Sequence, residues 1–183
     1  MPPAVPTLKT ERLLLRPFEL TDAASVQLLA SAAEVAATTL ELPHPYPEGA
    51  AEAWIATHVE AAMQGTGYTW AIVRSAGGVL LGAISLGIRA KHARGSLGYW
   101  LGLPYWNQGY MTEAARRVVT FGFEELRLHR IEASCFPRNV GSARVMQKAG
   151  LRYEGTLRGD VRKGDTFEDV AQYGLLRDDA VVW

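Results

Sequence analysis

The 183-residue chain has one cysteine, Cys135, so it can form no intrachain disulfide, and a reducing cytoplasm is the expected setting. No apolar run approaches the ~18 residues of a membrane span, and residues 1–10 lack the apolar core of a secretion signal. Net charge is missing too. Lys plus Arg (19) balance Asp plus Glu (19), which argues against partners held by bulk charge, nucleic acid or membrane. The P-loop pattern and the G-x-G-x-x-G fingerprint are both absent. His44, His58, His92 and His129 show no ligand spacing to one another or to Cys135, so no metal is expected. The run Ala83–Gly87 resembles a degraded hydrolase elbow, but β-rich sequence continues past Ser85 where an elbow must turn into a helix.

One absence is local. No Lys or Arg occurs between Arg16 and Arg74, a span that holds Glu19, Asp22, Glu34, Glu41, Glu48, Glu52 and Glu60. Residues 1–90 carry net charge −3 and residues 91–183 net +3. A solvated pair of helix faces would explain this, and so would a division of labour between a cation-receiving half and an anion-binding half.

What is present is an ordinary folded composition, 48% hydrophobic and 21% charged, enough for one domain with a sizeable core. Leu13–Phe18 reads as a strand stopped by Pro17, and Thr21 as the cap of a helix with Val26, Leu29, Ala30 and Ala33 on one face. Pro43, Pro45 and Pro47 exclude regular structure, and a second helix follows from Glu48 with Ala51, Ile55, Val59 and Ala62 in register. Tyr68–Arg74, Val79–Arg89 and Ser96–Leu101 have strand character, with a Gly77-Gly78 turn after the first. Met111, Ala114, Ala115, Val118, Val119, Gly122 and Leu126 trace a helix. Arg130–Phe136 is a strand, Asn139 caps a helix that ends at Gly150, and Leu151–Val161 and Thr166–Leu176 flank a turn at Gly164. The expected order is β-α-α-β-β-β-α-β-α-β-β, an α/β fold.

The segment Gly98–Ala114 runs strand, short loop, helix. Such a junction aims backbone N–H groups and a helix dipole at one spot, which suits a pyrophosphate, and Gly109 allows its close approach. Together with His129–Ala133, Cys135, Asn139–Leu151 and Tyr153–Gly155, this segment resembles the GNAT superfamily of acetyl-CoA-dependent N-acetyltransferases. The nearest type is RimJ/RimL, which includes acetylases of ribosomal-protein N-termini. The likeness begins at Thr10-Glu11-Arg12-Leu13 and extends to Phe167-Glu168-Asp169.

The resemblance implies a single N-acetyltransferase domain over 1–183, with a core at about 8–178. Its sheet is mixed, mostly antiparallel and splayed at the cofactor strand, with helices on both faces. Acetyl-CoA is the implied co-substrate, and the implied activity is transfer of acetyl to a primary amine by direct attack in a ternary complex. A non-catalytic acyl-CoA-binding module is the alternative. Trp100, Leu101 and Gly102 are the candidates for the pantetheine arm, and Gln108, Gly109, Tyr110, Met111 and Thr112 for the phosphates. Trp106 and Met111 stand where many members carry Arg or Gln and Gly or Ala. Asn139 and Ser142 are the catalytic candidates and also cofactor contacts. Asn139 has a structural role as N-cap, and the Ser142 hydroxyl is placed to protonate the leaving sulfur. The general base stays open. Val161 occupies the strand position where some relatives carry a glutamate, Asp160 is its neighbour, and Glu41, His44, Glu113 and water are the other options. The acceptor, a protein N-terminus or a small amine, is expected to be cationic, because the acceptor half is the negative one. Nothing in the sequence sets the oligomeric state.

Overall fold

Along the strand Gly67–Arg74, Trp70 and Ile72 point to one face and Ala71 and Val73 to the other, and all four are buried. A strand that is apolar on both faces needs a covering layer on each side. The computed structural model, which describes residues 5–179, supplies both layers. Strands β1 (Leu8–Lys9) and β2 (Leu13–Arg16) are followed by helices α1 (Ala23–Ala30), α2 (Ala33–Thr38) and α3 (Ala50–Met63). Next come β3 (Gly67–Arg74), β4 (Leu80–Arg89), β5 (Arg94–Leu101), α4 (Tyr110–Glu124), β6 (Arg130–Cys135), α5 (Val140–Lys148), β7 (Arg152–Lys163) and β8 (Thr166–Leu176).

The strands form one sheet in the order β1-β2-β3-β4-β5-β6-β8-β7, antiparallel except for the parallel pair β5–β6. Ala114, Ala115, Val118 and Val119 of α4 pack with Trp70, Ile72, Leu81 and Ile84 on one face. Ala23 and Val26 of α1 and Ala51 and Ile55 of α3 pack with Ala71, Val73 and Leu80 on the other. Each larger side chain buried this way contributes about 1.5–3 kcal/mol, so both layers are held by the sheet rather than by local propensity.

The helix traced by Met111 to Gly122 and the Asn139 cap appear as expected, and β8 has the expected bounds. Other expectations are corrected. The first strand ends at Arg16, and α3 begins at Ala50, after Gly49 in a left-handed conformation (φ 75°). Two elements go beyond those expected, because β1 spans 2 residues and α2 spans 6, too short for a period to register. Thr21 does not cap α1. A 3-10 turn, Leu20–Asp22, leads into the helix, and the Asp22 carboxylate accepts the Glu19 N–H (2.9 Å) and the Arg16 guanidinium (2.7 and 2.8 Å). The Thr21 hydroxyl instead donates to the Glu19 carboxylate at 3.3 Å, and no side chain bonds to the start of α1.

The feature that creates the site lies in the middle of the sheet. β5 and β6 pair only from Arg94 with Arg130 to Leu97 with Ala133. Beyond that point β6 continues alongside β8 through Ser134 and Cys135, whereas β5 continues alongside β4 through Leu101. The sheet therefore opens into a wedge, as expected for the splayed cofactor strand.

Candidate active site

The wedge fixes which backbone groups of β5 lack a partner. The Gly102 N–H donates to the Leu81 carbonyl of β4 at 2.9 Å, and a β-carbon at Gly82 would collide with the Trp100 carbonyl. Even-numbered residues here thus turn their main chain toward β4. By strand alternation Tyr99 and Leu101 turn theirs toward the gap. The Leu101 carbonyl is taken by the Trp106 indole N–H at 2.8 Å, so the gap offers amide donors beside an aromatic wall.

The loop between β5 and α4 makes the second part. Asn107 (φ 59°) and Gly109 (φ 81°) are left-handed, and Gly109 occupies the N-cap position of α4 with no side chain bonding to the helix start. The first-turn amides of α4 are left for a ligand, and the helix dipole makes that ligand an anion. The loop is held from a distance. The Glu113 carboxylate accepts the Thr10 hydroxyl (2.6 Å), the Arg12 N–H (2.8 Å) and the Arg12 Nε–H (2.7 Å), and the Arg12 guanidinium also donates to the Gln108 carbonyl (3.1 Å). Burial pushes the Glu113 carboxyl up, but these bonds outweigh it and hold the group below its ordinary range. Glu113 is therefore an anchor of the loop, engaged on both oxygens, and not a free base.

The third part is the start of α5. The Asn139 Oδ1 accepts the Ser142 N–H at 3.0 Å, the cap geometry read from the sequence. The Ser142 Oγ lies 2.9 Å from the Tyr99 hydroxyl. Burial raises the pKa of both Tyr99 and Cys135 above their ordinary values, so both stay protonated at neutral pH. Tyr99 was not among the site residues expected from sequence. It belongs here because Leu97, Tyr99 and Leu101 alternate onto the α4 face, toward α5.

These parts share one cleft of about 1130 Å³. Of the expected site residues, Trp100, Leu101, Gly109, Tyr110, Met111, Thr112, Asn139 and Ser142 line it. Gly102 and Gln108 do not. The Gly102 amide is spent on Leu81, and its lack of a side chain makes room for Leu29 of α1. The Gln108 amide side chain donates to the Pro104 carbonyl at 2.8 Å. Met111 sends its side chain into the main core, so the substitution relative to small residues leaves the backbone amide in place. Arg144 and Lys148, not singled out from sequence, line the cleft from α5 with positive charge.

The opposite wall is aromatic and carries the acidic half. Tyr46, Trp54 and Trp100 line it, with Trp54 and Trp100 ring centroids 6.4 Å apart. Among the described residues, Glu41 is the one carboxylate lining the cleft; Glu48, Glu52, His44, Asp160 and Val161 stand outside it. Among the described residues no group of three His, Cys, Asp or Glu could hold a metal, and no helix is long and apolar enough to cross a membrane.

Known proteins share the chain's sequence pattern and its fold. The acetyltransferase (GNAT) domain family matches residues 12–152. Among curated proteins, "Probable N-acetyltransferase YjcK" of Bacillus subtilis is 40% identical over 114 residues, which is 61% of this chain but only 63% of YjcK. "Uncharacterized N-acetyltransferase YoaA" of the same species is 31% identical over 94% of this chain and 97% of its own. Among solved structures, a GNAT-family acetyltransferase from Bacillus anthracis has a TM-score of 0.86 at 29% identity, covering 95% of this chain and 100% of its own. The ribosomal alpha-N-protein acetyltransferase RimL, solved with coenzyme A, shares the fold at a TM-score of 0.85 and 16% identity, over 93% of this chain and 98% of its own.

Proposed function

The chain belongs to the GNAT acetyltransferase family, and from that premise we propose that it moves acetyl from acetyl-CoA to a cationic primary amine within one domain of about residues 8–178. The observation that carries this reading is the convergence, on one cleft, of an uncapped helix start and an unpaired strand edge. At about 1130 Å³ the cleft exceeds the ~300–1,000 Å³ usual for one small ligand, consistent with two substrates held side by side.

Bound acetyl-CoA supplies an acetyl group activated as a thioester. The amides of Gly109 to Thr112 hold phosphate oxygens, and Arg144 and Lys148 add positive charge along α5. The Tyr99 and Leu101 amides face the gap, where they can bond the pantetheine arm as a third strand edge would. The α5 start, with Ser142 in its first turn, lowers the energy of negative charge on sulfur.

When the amine nitrogen forms its bond to the acetyl carbon and the carbon–sulfur bond breaks, the departing thiolate needs a proton. The Ser142 hydroxyl donates it, oriented by its hydrogen bond with the Tyr99 hydroxyl, which keeps its own proton, and solvent water returns a proton to Ser142. The amine sheds its own proton to solvent water on the other side of the cleft, so one proton enters the site and one leaves it. Glu41 draws the ammonium toward that wall, and Tyr46, Trp54 and Trp100 give a cation an aromatic surface to rest on.

The test is thiol release from acetyl-CoA over a panel of amines, with calorimetry of acetyl-CoA binding on the same protein. Turnover that favours basic peptides or polyamines supports the reading. Tight binding with no release for any amine would replace it with that of an acyl-CoA-binding module.

A further inference from the structure

The C-terminus of α2 exposes carbonyls that a helix of 6 residues cannot satisfy by itself. Three successive ones are bonded by side chains from the other half of the chain. Arg138 donates to the Ala37 carbonyl at 3.0 Å, Asn139 Nδ2 to the Thr38 carbonyl at 3.1 Å, and Lys163 Nζ to the Thr39 carbonyl. The two cations also suit the negative end of the helix dipole. Both lie over the Phe136 ring, at 4.2 and 5.8 Å from its centroid, and Arg138 is further fixed by the Glu168 carboxylate.

Asn139 stands in the middle of this row and uses both ends of its amide. Its oxygen caps α5 by accepting the Ser142 N–H, and its nitrogen holds Thr38. Directly after these carbonyls come Leu40, Glu41, Leu42 and Pro43, which line the acceptor wall of the cleft. One side chain thus joins the backbone of the residue proposed to serve the sulfur to the segment proposed to meet the amine.

We infer that Asn139 is a positioning residue that locks the acceptor segment 38–43 to the helix bearing Ser142, with Arg138 and Lys163 as flanking anchors. The inference rests on the proposed roles of Ser142 and of the acceptor wall. It adds a job that an N-cap does not have. A cap requires the oxygen of Asn139 alone, whereas the lock requires its nitrogen.

Asn139→Asp separates the two jobs, because aspartate caps a helix as well as asparagine but cannot donate to Thr38. Lys163→Met removes one anchor at a residue outside the cleft, and Lys163→Arg restores the donor. Hydrogen exchange followed by mass spectrometry should show segment 37–47 exchanging about three- to tenfold faster in Asn139→Asp and Lys163→Met, the span that loss of one hydrogen bond allows. Exchange in α5 should stay unchanged in Lys163→Met. With spermidine and a lysine-containing tripeptide as acceptors, acceptor KM should rise by the same factor in Lys163→Met, a residue outside the cleft, while its KM for acetyl-CoA stays within about twofold and Lys163→Arg is near wild type.

Unchanged exchange in 37–47, or faster exchange across the whole chain, overturns the lock. Faster exchange at 37–47 with an unchanged acceptor KM also overturns it, since the anchoring is then structural alone. Failure of the Ser142 assignment reads out elsewhere, as full turnover in Ser142→Ala, and leaves the exchange result standing.

Discussion

The Tyr99 hydroxyl lies 2.9 Å from Ser142 Oγ and 3.3 Å from the Ser142 carbonyl oxygen, joining the splayed strand to the start of α5. Because burial keeps Tyr99 protonated, its hydroxyl holds and orients the serine hydroxyl, whose hydrogen faces the sulfur in the proposed reaction. Ser142→Ala should lower kcat roughly ten- to a thousandfold, the range set by loss of a general acid or of one hydrogen-bond donor. Tyr99→Phe should lower it less, about tenfold, because it removes only the hydrogen bond that orients Ser142 and water can take its place. Steady-state kinetics with both variants checks this, and a Tyr99→Phe defect equal to that of Ser142→Ala would make tyrosine the donor itself.

Gly109 is the position where the phosphate approach depends on having no side chain. At φ 81° a β-branched residue is strained, and a β-carbon there would stand 3.3 Å from the Arg12 guanidinium. Gly109→Val should leave a folded protein and reduce acetyl-CoA affinity by more than tenfold. Calorimetry gives the affinity and circular dichroism the fold; an unchanged Kd would mean that phosphates bind elsewhere.

Glu41 is singled out from the acidic half by lining the cleft. Glu41→Lys should raise KM for a basic acceptor about three- to tenfold, within the range that electrostatic steering spans, and leave KM for acetyl-CoA unchanged. The same reversal at Glu48, outside the cleft, should do little. Raising the salt concentration should narrow the gap between wild type and Glu41→Lys. Equal activity toward matched basic and acidic peptides at every salt concentration would make the glutamates a solvated face.

His58 gives a stability prediction with a sign. It is 8% exposed, packed against Trp54 (ring centroids 4.5 Å apart) and Phe18 (5.4 Å), and neither ring nitrogen has a hydrogen-bond partner. Burial lowers its pKa from 6.5 to about 4, so between those values the unfolded chain binds a proton that the folded one does not. Its contribution is complete above pH 6.5 and is lost progressively as pH falls toward 4. His58→Phe should flatten the fall of Tm over that window in a thermal melt series and cost little at pH 7. A pH profile identical to wild type would show that the histidine is hydrated or partnered in solution.

Much of the fold follows from short-range rules. The α4 stripe is a 3.6-residue pattern, and its Ala114, Ala115, Val118 and Val119 are the residues that become buried. The Asn139 cap depends on an atom pair three residues apart, and Gly109 and Gly150 are left-handed where the sequence places the start of one helix and the end of another. Short elements escape these rules, which is why α2 was hidden, and so does the 3-10 turn that the Arg16–Asp22 pair holds at the entry to α1.

By itself, then, the sequence determined the longer helices, the strand–Gly–helix junction, the charge division and the family likeness, because each lies in patterns within one element or in motif order. The tertiary structure decided which of those residues work together. Arg12 and Glu113 are 101 positions apart, Tyr99 and Ser142 are 43 apart, and Lys163 reaches back 124 positions to Thr39. No local spacing encodes such pairs. They arise because β5 and β6 part after Leu97 and Ala133, and because the sheet order then sets α2, α5 and the end of β7 around that opening.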